Sequence, residues 1–238
     1  LVYQVLLGGR PGIMQAVNEG AGSEHSFGIN IRLPFEQKPN PVVAGNPRSI
    51  NYKYFFNRKV AFLKEADAVV LFPGGFGTMD EAMETLTLAQ TGKHNPLPVV
   101  MIEPPGQTYW ERWTGFLKNQ LAGDGFINGE DLGLFEITDS VSRAVAIIEQ
   151  FYHRYHSLRF VGDILVIRMR SELPAGAIDG MQAAFGDLLS PGGRFKQIAA
   201  LPPEADEPAI ANLPRLAVDF NRTRFARLKV LIDFINAQ

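Results

Sequence analysis

The run from Pro73 to Glu81, PGGFGTMDE, is the part of this chain best suited to chemistry. It follows a continuous apolar segment over 68–72, typical of a strand buried on both faces, and precedes a predicted helix over 78–90. Its three glycines let a ligand approach the backbone, and the N–H groups and dipole of a helix start attract an anion such as phosphate. Ligands of open α/β sheets bind at this edge.

Glu81 has two interpretations. Thr78 and Glu81 are spaced as a capping box, with Thr78 as N-cap and Glu81 at N3, and this structural role is at least as well supported as catalysis. Alternatively, a carboxylate in the first helical turn is held ionised by the dipole, so it can stabilise a cation or orient water. Glu84 shares its side of the helix and, by itself, reads as a solvated residue. The predicted apolar side contains Met79, Ala82, Met83 and Leu86.

A second glycine turn, Gly8–Gly12, has the same placement between a predicted strand over 5–7 and a predicted helix over 13–20. It lacks a complete G-x-G-x-x-G, so it is weak support for dinucleotide binding. A tight turn with Pro11 near the helix start explains it equally well. Arg10 within the turn favours anion binding.

Arg58 and Lys59 lie in a predicted helix over 52–66 whose apolar stripe we expect at Phe56, Val60 and Leu63. On a helical wheel Arg58 falls at the margin of this stripe and Lys59 within it. Such residues usually extend their apolar stems along the core and keep their charges in water. If the helix approaches the carboxyl edge of the sheet, however, Arg58 can clamp a phosphate or a carboxylate.

Strands alternate with helices along the first two thirds of the chain, which predicts an α/β fold with a doubly wound, mostly parallel, Rossmann-like sheet. Beyond the elements named above, this pattern predicts strands over 26–31, 98–102 and 135–137, helices over 110–121 and 140–155, and a loop over 35–49. We expect this domain to occupy residues 1–156. Residues 157–238 are predicted to form a small α+β appendage in the order β-α-β-β-α, with its first strand over 160–169. The acidic, proline-containing segment over 202–208 is predicted to be a surface loop.

Composition excludes several classes of protein. The 238 residues include 23 Lys and Arg, 25 Asp and Glu and no Cys, and the net charge is −2. Disulfides and thiol chemistry are therefore excluded, and broad binding to nucleic acid polymers is disfavoured. The four histidines form no H-E-x-x-H pattern, so no metal site is expected. Without a membrane-length apolar run or a visible signal peptide, we expect a cytoplasmic protein that does not bind membranes.

The region from Gly8 to about Gln150 resembles the LOG family, whose members are often mislabelled lysine decarboxylases. The resemblance rests on the first glycine turn with Ile13 and Met14, on 31–37 (IRLPFEQ), on Arg58-Lys59, and above all on 73–81. The last segment fits the family motif P-G-G-x-G-T-x-x-E at every fixed position. The tail resembles that of longer bacterial members.

This resemblance implies a phosphoribohydrolase, which cuts a nucleoside 5′-monophosphate, either AMP-like or a cytokinin nucleotide, into free base and ribose 5-phosphate. It implies Arg58 and Glu81 as the catalytic pair, no metal, no organic cofactor and at least a homodimer. The residues expected to bind the substrate or its phosphate are Gly9, Arg10, Gly12, Met14, Lys59, Gly74, Gly75, Gly77, Thr78 and Glu84.

The chain departs from the family pattern near its beginning. Arg10 stands where the family usually has glycine, which affects the expected phosphate or base subsite. The family's usual opening strand and serine-containing loop are not found before Leu1. We therefore expect the sequence to lack its natural start or to join segments across a gap near residues 1–4.

Other functions remain open at this stage. A nucleotide-binding module without turnover, serving as a sensor or scaffold, fits the fold and the glycine turns equally well, although a pure binder would not need both Arg58 and Glu81. A broader purine or pyrimidine monophosphate nucleosidase is a related enzyme. A decarboxylase using pyridoxal phosphate needs a Schiff-base lysine, and no lysine here lies in a suitable context.

Overall fold

The computed structural model describes residues 3–33 and 38–238. The remainder, including 34–37 of the IRLPFEQ segment and part of the predicted loop over 35–49, lies outside the described residues. The chain divides into two compact units, one ending at Asp67 and the other beginning at Ala68. Among the helices of the described residues, none is both long and apolar enough to cross a membrane.

The first unit contains a three-stranded parallel sheet in the order β1-β2-β3, with one helix after β1 and one after β3. Its elements are β1 (Val5–Leu7), α1 (Ile13–Ala21), β2 (Ser26–Ile31), β3 (Ser49–Tyr52) and α2 (Phe55–Glu65). The sequence predicted all of these except β3. That strand is short and mixes polar with apolar residues beside a loop rich in Pro and Asn, so it lacks a clear periodicity.

The predicted apolar stripe of α2 is wrong in part. Leu63 is buried, but Phe56 is 63% exposed and Val60 is 61% exposed. The side of the helix that packs on β2 and β3 instead includes the half-buried Lys59 and Phe62. The buried side is therefore rotated around the helix axis away from Phe56 and Val60, whereas Lys59 is half-buried in agreement with its predicted place in the stripe.

The second unit begins with a parallel sheet in the order β4-β5-β6. Its elements are β4 (Val69–Leu71), α3 (Phe76–Gln90), β5 (Val99–Ile102), α4 (Tyr109–Phe116), β6 (Phe135–Thr138) and α5 (Val141–Phe151). A π-helical turn over Leu117–Ala122 completes the helix predicted over 110–121.

Strand β5 explains why this sheet has helices on both faces. Its four residues are all buried. Val99 and Met101 pack in a cluster with residues of α3 and α4, and Val100 and Ile102 pack in another with residues of α5. Because successive side chains of a strand point to opposite faces, a fully apolar strand requires a covered sheet on both sides. The predicted α/β fold with mostly parallel strands is confirmed.

The C-terminal part of the second unit is an antiparallel sheet in the order β7-β8-β10-β9. Its elements are β7 (Tyr155–Val161), β8 (Ile164–Met169), α6 (Ala177–Phe185), β9 (Phe195–Ile198), β10 (Arg215–Val218) and α7 (Phe225–Ala237). The predicted α+β character is confirmed, with one more strand than expected. The single strand predicted over 160–169 is a hairpin that turns at Gly162, whose φ of 60° suits glycine.

The junction between α5 and β7 is held by α7. The side-chain oxygen of the buried Asn236 accepts hydrogen bonds from the backbone N–H groups of Arg154 (2.9 Å) and Tyr155 (2.8 Å). The helix predicted over 140–155 therefore ends at Phe151, and Tyr155 already belongs to the strand. The domain boundary predicted between residues 156 and 157 falls inside β7, and it stays a prediction. Both sheets of residues 68–238 belong to one compact unit.

A buried ion cluster attaches the predicted surface loop over 202–208 to the antiparallel sheet. The Glu204 carboxylate, with a fully buried side chain, accepts hydrogen bonds from Arg168 (2.9 Å) and Arg215 (3.0 Å). Burial by itself would raise the pKa of Glu204, but the hydrogen bonds from the Leu201 N–H and from the two guanidinium groups outweigh it and lower that pKa. The carboxylate is thus ionised throughout the neutral range.

Replacing Glu204 by glutamine should destabilise the protein by about 3–5 kcal/mol at neutral pH, because Arg215 would be left buried beside a neutral amide and Arg168 would keep only the more exposed Glu207 as counter-ion. The pKa of Glu204 is lowered on folding, so its contribution is present above the unfolded-state pKa and is lost as the pH falls through the folded-state value. The difference between wild type and Glu204→Gln should therefore shrink in acid. Urea unfolding at several pH values measures it.

The matched control is Asp206→Asn, since Asp206 is in the same loop but its side chain is 61% exposed where it pairs with Arg159. Its cost should stay below about 1 kcal/mol. Equal losses for the two variants would show that the buried cluster does not hold the loop.

Candidate functional site

The connection between β4 and α3 contains the glycine turn singled out in the sequence. Helix α3 begins at Phe76 with Gly75 as its N-cap, and no side chain caps it. The N–H groups of Thr78 (3.0 Å) and Met79 (3.1 Å) both donate to the Gly75 carbonyl oxygen. The predicted capping box is therefore wrong, because helical bonding starts before Thr78 can serve as N-cap. Glu81 lies in the second turn, not the first.

The turn is open to a ligand. Residues 73–77 are all exposed, and Phe76 is 96% exposed. A Cβ atom on Gly75 or Gly77 would meet no described atom within 4 Å. The N–H groups of Phe76 and Gly77, at the very start of the helix, precede the first helical hydrogen bonds, so these two donors can bind an anion on the open side.

Contacts from Tyr109 at the start of α4 and from Thr78 fix the shape of the turn. The hydroxyl of Tyr109 donates to the Gly74 carbonyl oxygen. Next to it, Trp110 is fully buried and its backbone N–H donates to the carboxylate of Glu103 at 2.9 Å, which anchors the start of α4. A Cβ atom on Gly74 would lie 2.2 Å from the hydroxyl oxygen of Thr78, so only glycine allows the Thr78 side chain to fold back over the turn.

Glu81 lies five residues after the first residue of α3, about 7.5 Å along the helix axis. Helical side chains tilt toward the N-terminus, so the half-buried Glu81 side chain leans back toward the glycine turn. This spacing suits a sugar phosphate whose phosphate occupies the turn and whose ring extends along α3. Glu84 is also half-buried, whereas Met83 of the predicted apolar side is 37% exposed.

The first unit has a cleft of about 620 Å³ at its own glycine turn. Among the predicted residues, Gly9, Arg10, Met14 and Arg58 line it. Gly12 and Lys59 do not line it: Gly12 is the exposed N-cap of α1, and Lys59 is half-buried in α2. The volume is within the range of small-molecule sites.

Sequence reasoning missed several polar residues that line this cleft. Arg32 directly follows β2 within a segment matched to the family, but no role was predicted for it. The placement of side chains at the carboxyl ends of β2 and β3 could have found some of the others. The missed residues are Asn30, Arg32, Lys38, Asn46, Ser49 and Asn51.

Gly9 is the tightest point of the cleft wall. Its N–H donates to the side-chain oxygen of Asn30 at 2.7 Å, and its carbonyl oxygen accepts the N–H of Asn40 at 2.7 Å. A Cβ atom on Gly9 would lie 2.8 Å from both the Asn30 oxygen and a Val43 methyl carbon. Asn30 in turn donates to the Ser49 hydroxyl at 3.0 Å, which connects the turn to β3.

Two aromatic rings orient Arg58 within α2. Its guanidinium carbon lies 5.3 Å from the ring centre of Phe55 and 5.5 Å from that of Phe62. Phe55 precedes Arg58 by three positions and Phe62 follows it by four, so both rings lie on the same side of the helix as Arg58. Cation–π contacts on both rings restrict the guanidinium while it lines the cleft.

The predicted site residues thus form two groups in two units. The first unit holds the cleft residues with Arg58, and the second holds the turn over 74–78 with Glu81 and Glu84. The pairing of Arg58 with Glu81 stays a prediction. Within the described residues, no group of three or more His, Asp or Glu side chains is arranged to hold a metal ion.

Comparison with known proteins gives consistent relatives. The family model described as "Possible lysine decarboxylase" matches residues 14–148. The chain is 29% identical over 153 residues to the cytokinin riboside 5′-monophosphate phosphoribohydrolase LOG of Oryza sativa subsp. japonica, covering 62% of this chain and 60% of that protein. It is 24% identical over 153 residues to the cytokinin riboside 5′-monophosphate phosphoribohydrolase LOG1 of Arabidopsis thaliana, covering 63% and 69%.

A third relative is the probable cytokinin riboside 5′-monophosphate phosphoribohydrolase LOG6 of Arabidopsis thaliana, 30% identical over 122 residues. That alignment covers 50% of this chain and 58% of LOG6. The chain therefore spans about three fifths of the length of the rice protein and of LOG6.

Gly9→Ala should distort the cleft, because the new methyl group would collide with Asn30 and Val43. We expect it to destabilise the protein by about 1–3 kcal/mol and to weaken ligand binding. The control is Gly20→Ala in α1, where a Cβ atom would meet no described atom within 4 Å. That change should stabilise the protein by about 0.5–1 kcal/mol. Thermal unfolding measures both, and equal effects would contradict the close approach at Gly9.

Proposed function

The chain belongs to the LOG family, since the model described as "Possible lysine decarboxylase" matches residues 14–148 of its 238, and we propose that it is a phosphoribohydrolase. It hydrolyses the N-glycosidic bond of a nucleoside 5′-monophosphate and releases free base and ribose 5-phosphate. The names of the rice and Arabidopsis relatives support cytokinin nucleotides as one substrate class. AMP-like nucleotides are the broader class that we propose.

The observation that carries this proposal is the open start of α3 with a carboxylate one turn further on. A phosphate bound by the N–H groups of the glycine turn would orient the ribose along the helix, which supplies part of the barrier reduction through positioning. Glu81 would then lie near the anomeric carbon. The geometry of a single helix thus supports both phosphate binding and catalysis.

The proposed reaction passes through an oxocarbenium-like transition state, as in glycoside hydrolysis. The bond between the anomeric carbon and the base nitrogen breaks, and its electron pair leaves with the base. Water attacks the anomeric carbon, and its proton is transferred to the departing base. The Glu81 carboxylate stabilises the sugar cation or orients the water. Arg58, restricted by its two aromatic neighbours, binds the ribose phosphate or holds Glu81 in place.

We further propose that the protein works as a homodimer or larger homo-oligomer in the cytoplasm and acts on a free nucleotide without a cofactor. The resemblance to the LOG family, which implies sites near a subunit interface, supports the oligomer. The family description mentions lysine decarboxylase, but the relatives are named as phosphoribohydrolases, and this favours hydrolysis.

The wild-type protein should release free base and ribose 5-phosphate from AMP, and Glu81→Gln should lower kcat by about 10²–10⁴-fold while nucleotide affinity is kept, because the amide cannot stabilise a cation. Chromatographic assay of free base measures turnover, and calorimetry measures binding. Asp80→Asn, the neighbouring charge on α3, is the control and should stay near the wild-type rate. Binding without base release from the wild type would identify a nucleotide-binding module instead.

Arg58→Ala should lower kcat/KM by at least about 100-fold, since it removes a charge-assisted contact to the ribose phosphate or to Glu81. Arg58→Lys keeps the charge but loses the planar fork, so it should recover only part of the loss. Steady-state kinetics with AMP distinguishes the variants. A near-normal rate for Arg58→Ala would return Arg58 to the role of a basic side chain that only covers apolar surface.

A further inference from the structure

The second unit contains a cavity of about 220 Å³ that the proposed reaction does not use. Its lining comes from α5, α7, β6, the first residue of β5 and Pro98 just before it. All of these belong to the one compact unit of residues 68–238. No lining residue was assigned to nucleotide binding, so the cavity is a separate candidate site.

One part of the lining is apolar. Val99, Ile147 and Phe151 line the cavity and are between 2% and 7% exposed. The buried Pro98 lies beside them in the sequence and also lines it. The volume is below the range of about 300–1,000 Å³ that drug-sized ligands occupy. The cavity therefore suits a compact ligand that has a small apolar part.

Helix α7 contributes a charged pair to the lining. The ammonium nitrogen of Lys229 lies 2.9 Å from a carboxylate oxygen of Asp233, one helical turn further on. The Lys229 side chain is 8% exposed, and Asp233 is its one ion-pair partner among the residues that the structure describes. An ammonium group has three N–H donors, so this buried cation can bind a second acceptor.

A second charged pair lines the cavity from β6 and α5. The Arg143 guanidinium lies 3.8 Å from the Glu136 carboxylate, which is too long for a hydrogen bond. Both side chains are more than 40% exposed, and an ion pair of this kind contributes little stability. The Glu136 carboxylate therefore keeps its capacity to accept hydrogen bonds from a ligand.

The two carboxylates act on the same space. Burial raises the pKa of Asp233, Lys229 opposes this rise, and the negative charge of Glu136 adds to it. Glu136 and Asp233 are thus close enough to repel each other although they come from β6 and α7. A cationic group placed near both would relieve this repulsion.

The charges of the lining select the kind of ligand. Two cations and two carboxylates line the cavity, so its net charge is zero. A ligand with one charge would be attracted by half of these groups and repelled by the others. A ligand with a positive and a negative group would be attracted by both halves. Its apolar part would contact the side chains of Val99, Ile147 and Phe151.

We propose that this cavity binds a free α-amino acid with an apolar side chain. Its carboxylate accepts hydrogen bonds from the buried Lys229, and its ammonium group donates to Asp233 and Glu136. The apolar side chain packs on β5 and α5. This site does not depend on the proposed phosphoribohydrolase activity, since no step of that reaction involves these residues.

The test compares L-leucine with two analogues that each lack one charge, using calorimetry on the full-length protein. The analogues are 3-methylbutylamine, without the carboxylate, and 4-methylpentanoate, without the ammonium group. We expect leucine to bind at least about tenfold more tightly than either, because each analogue loses charge-assisted hydrogen bonds. Equal or tighter binding of an analogue would overturn the inference.

The amino acid side chain is varied in the same assay with valine, isoleucine, methionine and phenylalanine. Binding should also raise the thermal midpoint of the protein, because a ligand that binds only the folded state stabilises it. If none of the five amino acids binds, the inference is wrong.

Lys229→Gln removes the charge proposed to bind the ligand carboxylate. It should weaken leucine binding at least about tenfold and should not weaken binding of 3-methylbutylamine, which has no carboxylate. The control is Lys196→Gln, since Lys196 is exposed on β9 and outside the lining. A loss of leucine binding equal to that of the control would contradict the role of Lys229.

Glu136→Gln keeps the test decisive if the buried Lys229 cannot be replaced without unfolding. Its side chain is 44% exposed, so its replacement should cost little stability. It should weaken leucine and 3-methylbutylamine severalfold but not 4-methylpentanoate. The exposed Glu172 supplies the control, Glu172→Gln. Equal losses for all three ligands would indicate a change of cavity shape and would contradict the inference.

Adenine tests a neutral ligand in the same cavity, since the polar lining can also bind the donors and acceptors of a heterocyclic base. We expect adenine binding, if it occurs at the nucleotide site, to be unaffected by Glu136→Gln. Adenine binding that is lost in Glu136→Gln, together with no binding of leucine, would assign the cavity to a base and overturn the inference. Circular dichroism verifies that each variant is folded.

Discussion

We propose that the exposed backbone N–H groups at the start of α3 bind the anionic part of the ligand. A helix that begins without a side-chain cap keeps its first donors and its positive dipole end available. The structure maintains this opening through Gly74, where only glycine allows Thr78 to fold back, and through the anchored start of α4. The contacts around this turn therefore hold its shape while they leave its backbone exposed.

The first unit presents side chains, and not an open helix start, around its glycine turn. In its glycine turn the backbone N–H and carbonyl of Gly9 are bonded to Asn30 and to the main chain of Asn40, so these two groups are not available to a ligand. The basic side chains that line its cleft come from the loops and from α2. The two glycine turns look equivalent in sequence. In the structure, however, the glycines before α3 are exposed, whereas Gly8 and Gly9 are buried in the wall of the cleft.

Several elements follow directly from local patterns in the sequence. The all-apolar β5 predicted a sheet covered on both faces, and clusters on both of its sides agree with that prediction. The motif over 73–81 predicted the family, which the match over 14–148 now shows. Predictions were wrong where a single glycine changes the local backbone. Gly162 divides a predicted strand into a hairpin, and Gly75 is the N-cap of a helix that was predicted to begin after Thr78.

Sequence alone determined the fold class, the family and the position of the glycine turns, because these depend on periodicity and on residue types within short windows. Only the tertiary structure decided which side of α2 is buried, which of the basic residues share a cleft, and which distant side chains form ion pairs. These properties depend on residues far apart in the chain, such as Arg10 and Lys38 around one cleft or Glu204 between Arg168 and Arg215. Packing brings such residues together, and no local pattern records it.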